Sequence, residues 1–264
     1  MAVLKDFARR LGIRRGNVAS ARMRIERTRL SSSSTSDNRA RILAYHSVGT
    51  PSWGVNDVTP VRFERQLRLA IELGHNFVPA SLIASGEGQP GDLSVTFDDG
   101  MTTVAQNAAP ILAGLGIPWT IFTVSEWLDG NHEFEPGLML GWDALGELSQ
   151  RPGVAIGSHS MTHPRFGAIS EQQAREELNG SRAKIEKRLG ISVESFAIPF
   201  GQSTDWPDWC GPLASEAGYR DIYAQAEHTR PAHTVPRTFV SRFDNDRIFA
   251  AALRGAFDTW EEWV

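Results

Sequence analysis

The chain has 264 residues, 41% hydrophobic and 22% charged, with a net charge of −4, which is enough to bury a full core and to form one α/β barrel domain. No run approaches the roughly 20 apolar residues of a membrane span, and Cys210, the only cysteine, excludes an internal disulfide. The net charge hides an asymmetry, because residues 1–41 carry eleven Lys or Arg against Asp6, Glu26 and Asp37, +8 in that stretch and −12 in the remainder.

The chain starts Met1-Ala2-Val3-Leu4-Lys5-Asp6-Phe7, without the apolar core of a signal peptide. The expected location is therefore the cytoplasm, or a peripheral position at the inner membrane face. Leu4, Phe7 and Leu11 would share one face of a helix. A serine run, Ser31 to Ser36, follows the arm. Residues 1–38 are expected to be a basic leader and linker, and 39–264 a catalytic domain. The arm is read either as solvated or as attached to an anionic membrane surface. A nucleic acid partner is not expected.

After the linker, Arg41 to Val48 reads as a strand and Pro60 to Leu73 as a helix with Phe63, Leu67 and Ile71 on one side. Phe77-Val78 reads as a short strand, followed by a helical turn from Ser81. Leu93 to Phe97 is a strand and Thr102 to Leu115 a helix closed by Gly116. Strand Pro118 to Val124, helix Gly141 to Gln150 and strand Val154 to Gly157 follow. The longest helix runs from Ser170 to Leu189, with Gln173 at the capping-box position and Gly190 as its stop. Strand Ser195 to Ile198, helix Pro212 to Ala217, strands Tyr219 to Ala224 and Val235 to Val240, and helix Asp246 to Phe257 complete the pattern. Alternation at this count predicts a mainly parallel sheet rolled into a complete or incomplete α/β barrel.

Two strand ends carry chemistry. Val95-Thr96-Phe97-Asp98-Asp99-Gly100 ends an apolar run in two carboxylates. His159-Ser160-Met161-Thr162-His163 ends another in two histidines four apart. Alone, the first is most simply a polar turn and the second a solvated loop or a helix face. Together they supply a carboxylate and two imidazoles, a three-ligand set for a divalent metal with one position open. The spare carboxylate is a ready general base. The pair describes a metal-dependent hydrolase.

These motifs, with Phe196-Ala197-Ile198-Pro199-Phe200-Gly201, resemble the first three motifs of the polysaccharide deacetylases, the nodulation-type chitooligosaccharide deacetylase homologues. Ile42 to Val48, Gly116-Ile117-Pro118, Gly218-Tyr219-Arg220 and Pro236-Arg237 resemble further landmarks of that family, so the likeness spans about Arg41 to Phe257. It implies a distorted, incomplete β/α barrel that removes an acyl group from an amino sugar. By position it makes Asp99, His159 and His163 the metal ligands and Asp98 the catalytic base. It gives the backbone N–H of Phe200 the task of stabilising an oxyanion, since Pro199 has no N–H to offer. Two imidazoles and one carboxylate suit zinc, and also cobalt, nickel, iron or manganese.

The chain departs from the family pattern in several places. Ala197 stands where an arginine usually pairs with the catalytic aspartate, and Phe200 replaces a tyrosine. The family's fourth motif, an aspartate and a tryptophan, has no secure equivalent. No histidine follows Val235, where the family places its general acid. Candidates for that acid are His46, at the end of the first strand, then His233, or Asp98 acting twice. Arg237, or failing that Arg242, is expected to restore the charge missing at Ala197. Trp206 or Trp209 is expected to touch substrate. The implied substrate is an N-acetylated amino sugar in a glycan or lipid-linked saccharide. A deformylase or cyclic-amide hydrolase on the same metal site is the alternative, as is a carbohydrate-binding protein without turnover.

Overall fold

The structure, a computed structural model, describes residues 15–32 and 36–261. The apolar face expected from Leu4, Phe7 and Leu11 lies outside these residues. Seven strands form the frame: β1 (Arg41–Tyr45), β2 (Asp92–Phe97), β3 (Trp119–Thr123), β4 (Val154–Ser158), β5 (Ser195–Ala197), β6 (Asp221–Gln225) and β7 (Val235–Phe239). Each pairs in parallel with the next, and β7 returns to β1, so the sheet closes into a barrel. The closure is uneven. β1 is in register with β2 over five residue pairs, from Arg41↔Leu93 to Tyr45↔Phe97, but β4 and β5 meet only at Ser158↔Phe196. This is the distorted barrel, one strand short of eight, that the sequence implies. A parallel strand covered on both faces carries no polar alternation, and β1 and β2 are buried throughout.

Around the frame lie α1 (Arg15–Leu30), α2 (Pro60–Glu72), α3 (Ala80–Ala84), α4 (Ala109–Leu115), α5 (Trp142–Ser149), α6 (Glu171–Leu189), α7 (Cys210–Glu216) and α8 (Asp246–Leu253). Local chemistry sets their ends. Thr59 caps α2 ahead of Pro60, which needs no partner for a missing N–H. The predicted capping box of α6 forms between Ser170 and Gln173, and Gly190 ends the helix in the left-handed region. The helix expected over Thr102 to Leu115 changes register instead, with a π turn at Val104–Ala108 before α4. Pro110 lacks the N–H that an unbroken α register would require there.

The barrel interior holds Ile42, Phe122, Ala197 and Tyr223, joined by Ala80 of α3. The larger apolar core lies between the strands and the outer helices. Helix α1, expected within a separate leader, packs against this body. Arg27 is completely buried, and its Nε and Nη2 bond the Asp244 carboxylate at 2.7 and 2.5 Å. Its guanidinium stacks 4.1 Å from the Phe257 ring centroid. A partner 217 residues away leaves no trace in local sequence pattern. Among the described residues no helix is long and apolar enough to cross a membrane.

Candidate metal and catalytic site

The strand ends of the barrel converge on a cleft of about 490 Å³. Asp98 and Asp99 follow β2, His159 follows β4 directly, and His163 returns to the cleft after one turn of loop. Ligand atoms of Asp99, His159 and His163 all lie within 4.8 Å of one another. Asp99 Oδ1 faces both imidazoles, 3.7 Å from His159 Nε2 and 3.6 Å from His163 Nε2. Two donors each about 2.1 Å from a tetrahedral ion stand about 3.4 Å apart, so the triad is spaced to share one ion.

The surrounding bonds aim these atoms. His159 Nδ1 lies 2.8 Å from the Ala197 carbonyl. A carbonyl only accepts, so Nδ1 carries the proton and the Nε2 lone pair is directed into the cleft. Trp53 Nε1 donates to Asp99 Oδ2 at 3.3 Å, which leaves Oδ1 for the histidines. The loop between the histidines is held by Glu177 of α6. Its carboxylate accepts the N–H groups of Met161 and Thr162, both at 2.8 Å, and the Thr162 hydroxyl at 2.6 Å. Among the described residues five non-glycine positions have positive φ, and four of them, Asp99, Ser160, His163 and Phe200, belong to this site. Backbone forced into that region is disfavoured unless its surroundings fix it, and such strain concentrates where side chains must be aimed.

Asp98 does not share the ligand cluster. Both its oxygens are engaged by Arg237, Oδ1 by Nη1 at 2.6 Å and Oδ2 by Nη2 at 2.8 Å. Both side chains are buried. Burial by itself raises the carboxyl pKa, but the Arg237 charge and then His159 overcome it and hold Asp98 well below the usual range. Burial favours the neutral, ligand-competent form of both histidines. It lowers His159, and it brings His163 to about 4, with the neighbouring His159 as the next cause.

The register explains how Arg237 arrives. Leu43 of β1 pairs with both Thr238 of β7 and Val95 of β2, so Arg237 begins two residues below the level of Thr96. Its side chain rises through the interior, over the Phe122 ring at 5.2 Å and past Thr96 Oγ1 at 3.3 Å. Ala197 shares that interior cluster with Phe122, and its single methyl leaves the space that a long side chain would fill. Arg242 lies elsewhere, beside α1.

The other residues expected at the site divide. His46 lines the cleft with its ring edge on Phe239, and its buried Nδ1 has no partner among the described residues. Phe200 stands on the rim, 4.7 Å from the His163 ring and 3.9 Å beneath the Arg165 guanidinium. Pro199 is buried and does not line the cleft; it fixes the approach to Phe200. Trp206 is corrected: at 4% exposure it packs on Phe166 and Phe196 and belongs to the core. Trp209 also packs against the core, and His233 lines a different groove. The indoles in the cleft are Trp53 and Trp127, with Phe134 between them at 5.2 and 5.0 Å. The sequence reading chose Trp206 or Trp209 over these two, because Trp53 and Trp127 are each delivered by a loop with no period to read. Glu177 and Arg165 were missed. A glutamate inside a long helix and an arginine in a loop read as solvated surface.

Comparison with known proteins agrees with this geometry. The family model described as polysaccharide deacetylase matches residues 85–222. "Putative polysaccharide deacetylase YxkH" of Bacillus subtilis (strain 168) is 26% identical over 166 residues, covering 61% of this chain; the chain spans 56% of that relative's length. Among solved structures, the Streptococcus pyogenes deacetylase PplD in complex with acetate superposes with a TM-score of 0.67 at 20% identity, covering 78% of this chain and 94% of that one. IcaB from Ammonifex degensii gives 0.68 at 22% identity, covering 83% and 98%. At such identities the structural likeness establishes the fold. The family assignment rests on the sequence model, which spans more than half of the chain and includes both Asp98-Asp99 and His159 to His163. This chain belongs to the polysaccharide deacetylase family.

Proposed function

We propose that this protein is a metal-dependent amidohydrolase that removes an N-acyl group, in the first place acetyl, from an amino sugar in a glycan or lipid-linked saccharide. The observation that carries the reading is the buried, doubly bonded Asp98–Arg237 pair directly beside the Asp99, His159 and His163 triad. A protein that only bound sugar would have no use for a second carboxylate kept ionised next to a ligand set.

Asp99, His159 and His163 would hold one divalent ion, zinc being the best suited. Such an ion, when bound, polarises the amide carbonyl and promotes ionisation of water. Asp98, held as a carboxylate, takes the proton of the attacking water. The Phe200 N–H donates to no protein acceptor among the described residues, which leaves it available to the oxygen of the tetrahedral adduct. His46 lines the same cleft with an unpartnered ring nitrogen, and it is our candidate to protonate the leaving amine. The faces of Trp53 and Trp127 offer stacking surface for a sugar ring.

The test is release of acetate and formate from a panel of N-acylated amino sugars, before and after chelation and with zinc, cobalt, nickel or manganese restored. Metal-restored acetate release supports the reading. Formate alone would make the protein a deformylase on the same site. No acyl release with any metal would reduce it to a carbohydrate-binding protein.

A further inference from the structure

A second concavity, about 1250 Å³ in volume, adjoins the catalytic cleft. One wall is the side of α1 that carries Ala21, Arg24, Ile25 and Thr28, and the other carries Arg242, Phe243 and Arg247. Between groove and cleft stands the loop Pro51–Asn56, whose Val55 lines both. That loop also carries Trp53, the donor to Asp99, and its Val55 carbonyl accepts the N–H of Arg242 at 2.9 Å. The groove is thus built into the same loop that orients a ligand of the candidate metal site. It exists because Arg27 fixes α1 to the body of the protein.

The chemistry of the groove is one-sided. Arg24, Arg29, Arg242 and Arg247 line it, and among the described residues no carboxylate does. Among the described residues none of the four has a carboxylate within 4.0 Å. This concentration of positive charge occurs in a protein whose net charge is −4, so it is a local feature and not a general property of the surface. Amid the arginines Ile25 is 67% exposed. Like charges crowded together repel, and a large aliphatic side chain beside them gains nothing from water. A ligand that joins an anion to hydrocarbon relieves both. The phosphate and glycerol region of an anionic lipid has that composition, and guanidinium groups bind phosphate through paired N–H donors. A nucleic acid groove would offer exposed aromatic faces for base stacking, whereas the aromatic here, Phe243, is half-buried.

We propose that this groove seats the phosphate of an anionic membrane lipid, with Ile25 against the adjoining methylenes, and so docks the mouth of the catalytic cleft at a membrane surface. The inference concerns binding alone and stands apart from the acyl transfer chemistry proposed above.

The experiment is co-sedimentation of the full chain with vesicles of phosphatidylcholine alone or mixed with phosphatidylglycerol, in about 0.1 M salt where charges still act over about 10 Å. The native protein should partition onto the mixed vesicles and not onto neutral ones. Each basic residue near such a surface contributes about fivefold, so the combined Arg24→Gln, Arg242→Gln and Arg247→Gln variant should lose about 100-fold in partitioning. Those three side chains are exposed, so the variant should keep the native far-ultraviolet spectrum and melting temperature. Ile25→Asp should weaken binding in the native arginine background. Arg151→Gln combined with Lys187→Gln, which removes two cations outside the groove, should bind as the native protein does. Equal partitioning by the groove variant, equal loss in the outside control, or binding to a single-stranded RNA without binding to vesicles would each overturn the proposal.

Discussion

Arg237 and Asp98 lie 139 residues apart in sequence and meet as a fork on a fork, each guanidinium Nη bonded to one carboxylate oxygen. The pair supplies from the last strand the positive charge that the family pattern places at the position of Ala197. It also separates two adjacent aspartates by role. Asp98 is fixed by an arginine, while Asp99, one residue on and with positive φ, turns toward the histidines.

Arg237→Met should move the acid limb of the pH–rate profile upward by about one unit. In the native protein the Asp98 pKa is depressed, so the stabilisation it brings is complete above the unfolded-chain value of about 3.9 and fades as pH falls toward the folded value. Without Arg237, burial still raises the carboxyl pKa and only the weaker pull of His159 and His46 opposes it. The same variant leaves a buried carboxylate unpaired and should unfold more easily, by about 3 to 5 kcal/mol. An unmoved acid limb would show that Arg237 does not tune Asp98.

Asp98→Asn should bind zinc as the native protein does yet lose turnover by about two orders of magnitude or more. Calorimetric titration with zinc and a single-turnover assay read the two effects separately. If turnover stays near native, Asp98 is not the base.

Glu177→Ala should weaken metal binding by about 10- to 100-fold, the usual scale for removing an outer support of a ligand. Three bonds from this carboxylate shape the loop that carries His163. Glu177→Gln keeps one acceptor oxygen and should fall between the two. Native zinc affinity in the alanine variant would show that the loop holds its own shape.

The apoprotein should keep His163 neutral down to about pH 4 instead of 6.5, because burial opposes its charge. Between those values the unfolded chain binds more protons than the folded one, so stability should fall as pH falls through that window. Proton-detected titration of the imidazole, with chemical denaturation at several pH values, checks both statements. A midpoint near 6.5 would mean that the ring is open to water.

Arg27→Met should destabilise the fold by about 3 to 5 kcal/mol, since it strands the buried Asp244 carboxylate. Deleting residues 1–38 should do the same, which sets a limit on treating that arm as separable. Denaturant midpoints of the two variants against the native chain decide the matter.

Periodicity and punctuation determined much of this protein from sequence alone. Apolar runs ending in Asp98-Asp99 and His159 marked parallel strands and their functional ends, and Ser170, Gln173 and Gly190 bounded a helix, because caps and strand ends are local chemistry within a few residues. The order of elements was sufficient for a barrel. Tertiary structure alone decided which distant side chains meet. Arg237 was separated from Arg242 by where the last strand ends: Arg237 lies within β7 and enters the interior, and Arg242 lies in the turn beyond it, beside α1. Trp53 and Trp127 entered the cleft and Trp206 entered the core because loops, with no period to read, set where each indole points. Arg27, Glu177 and Arg165 looked like surface charge, since a polar side chain reads as solvated until its partner is known. Burial and pairing arise between segments, and a linear pattern carries no record of them.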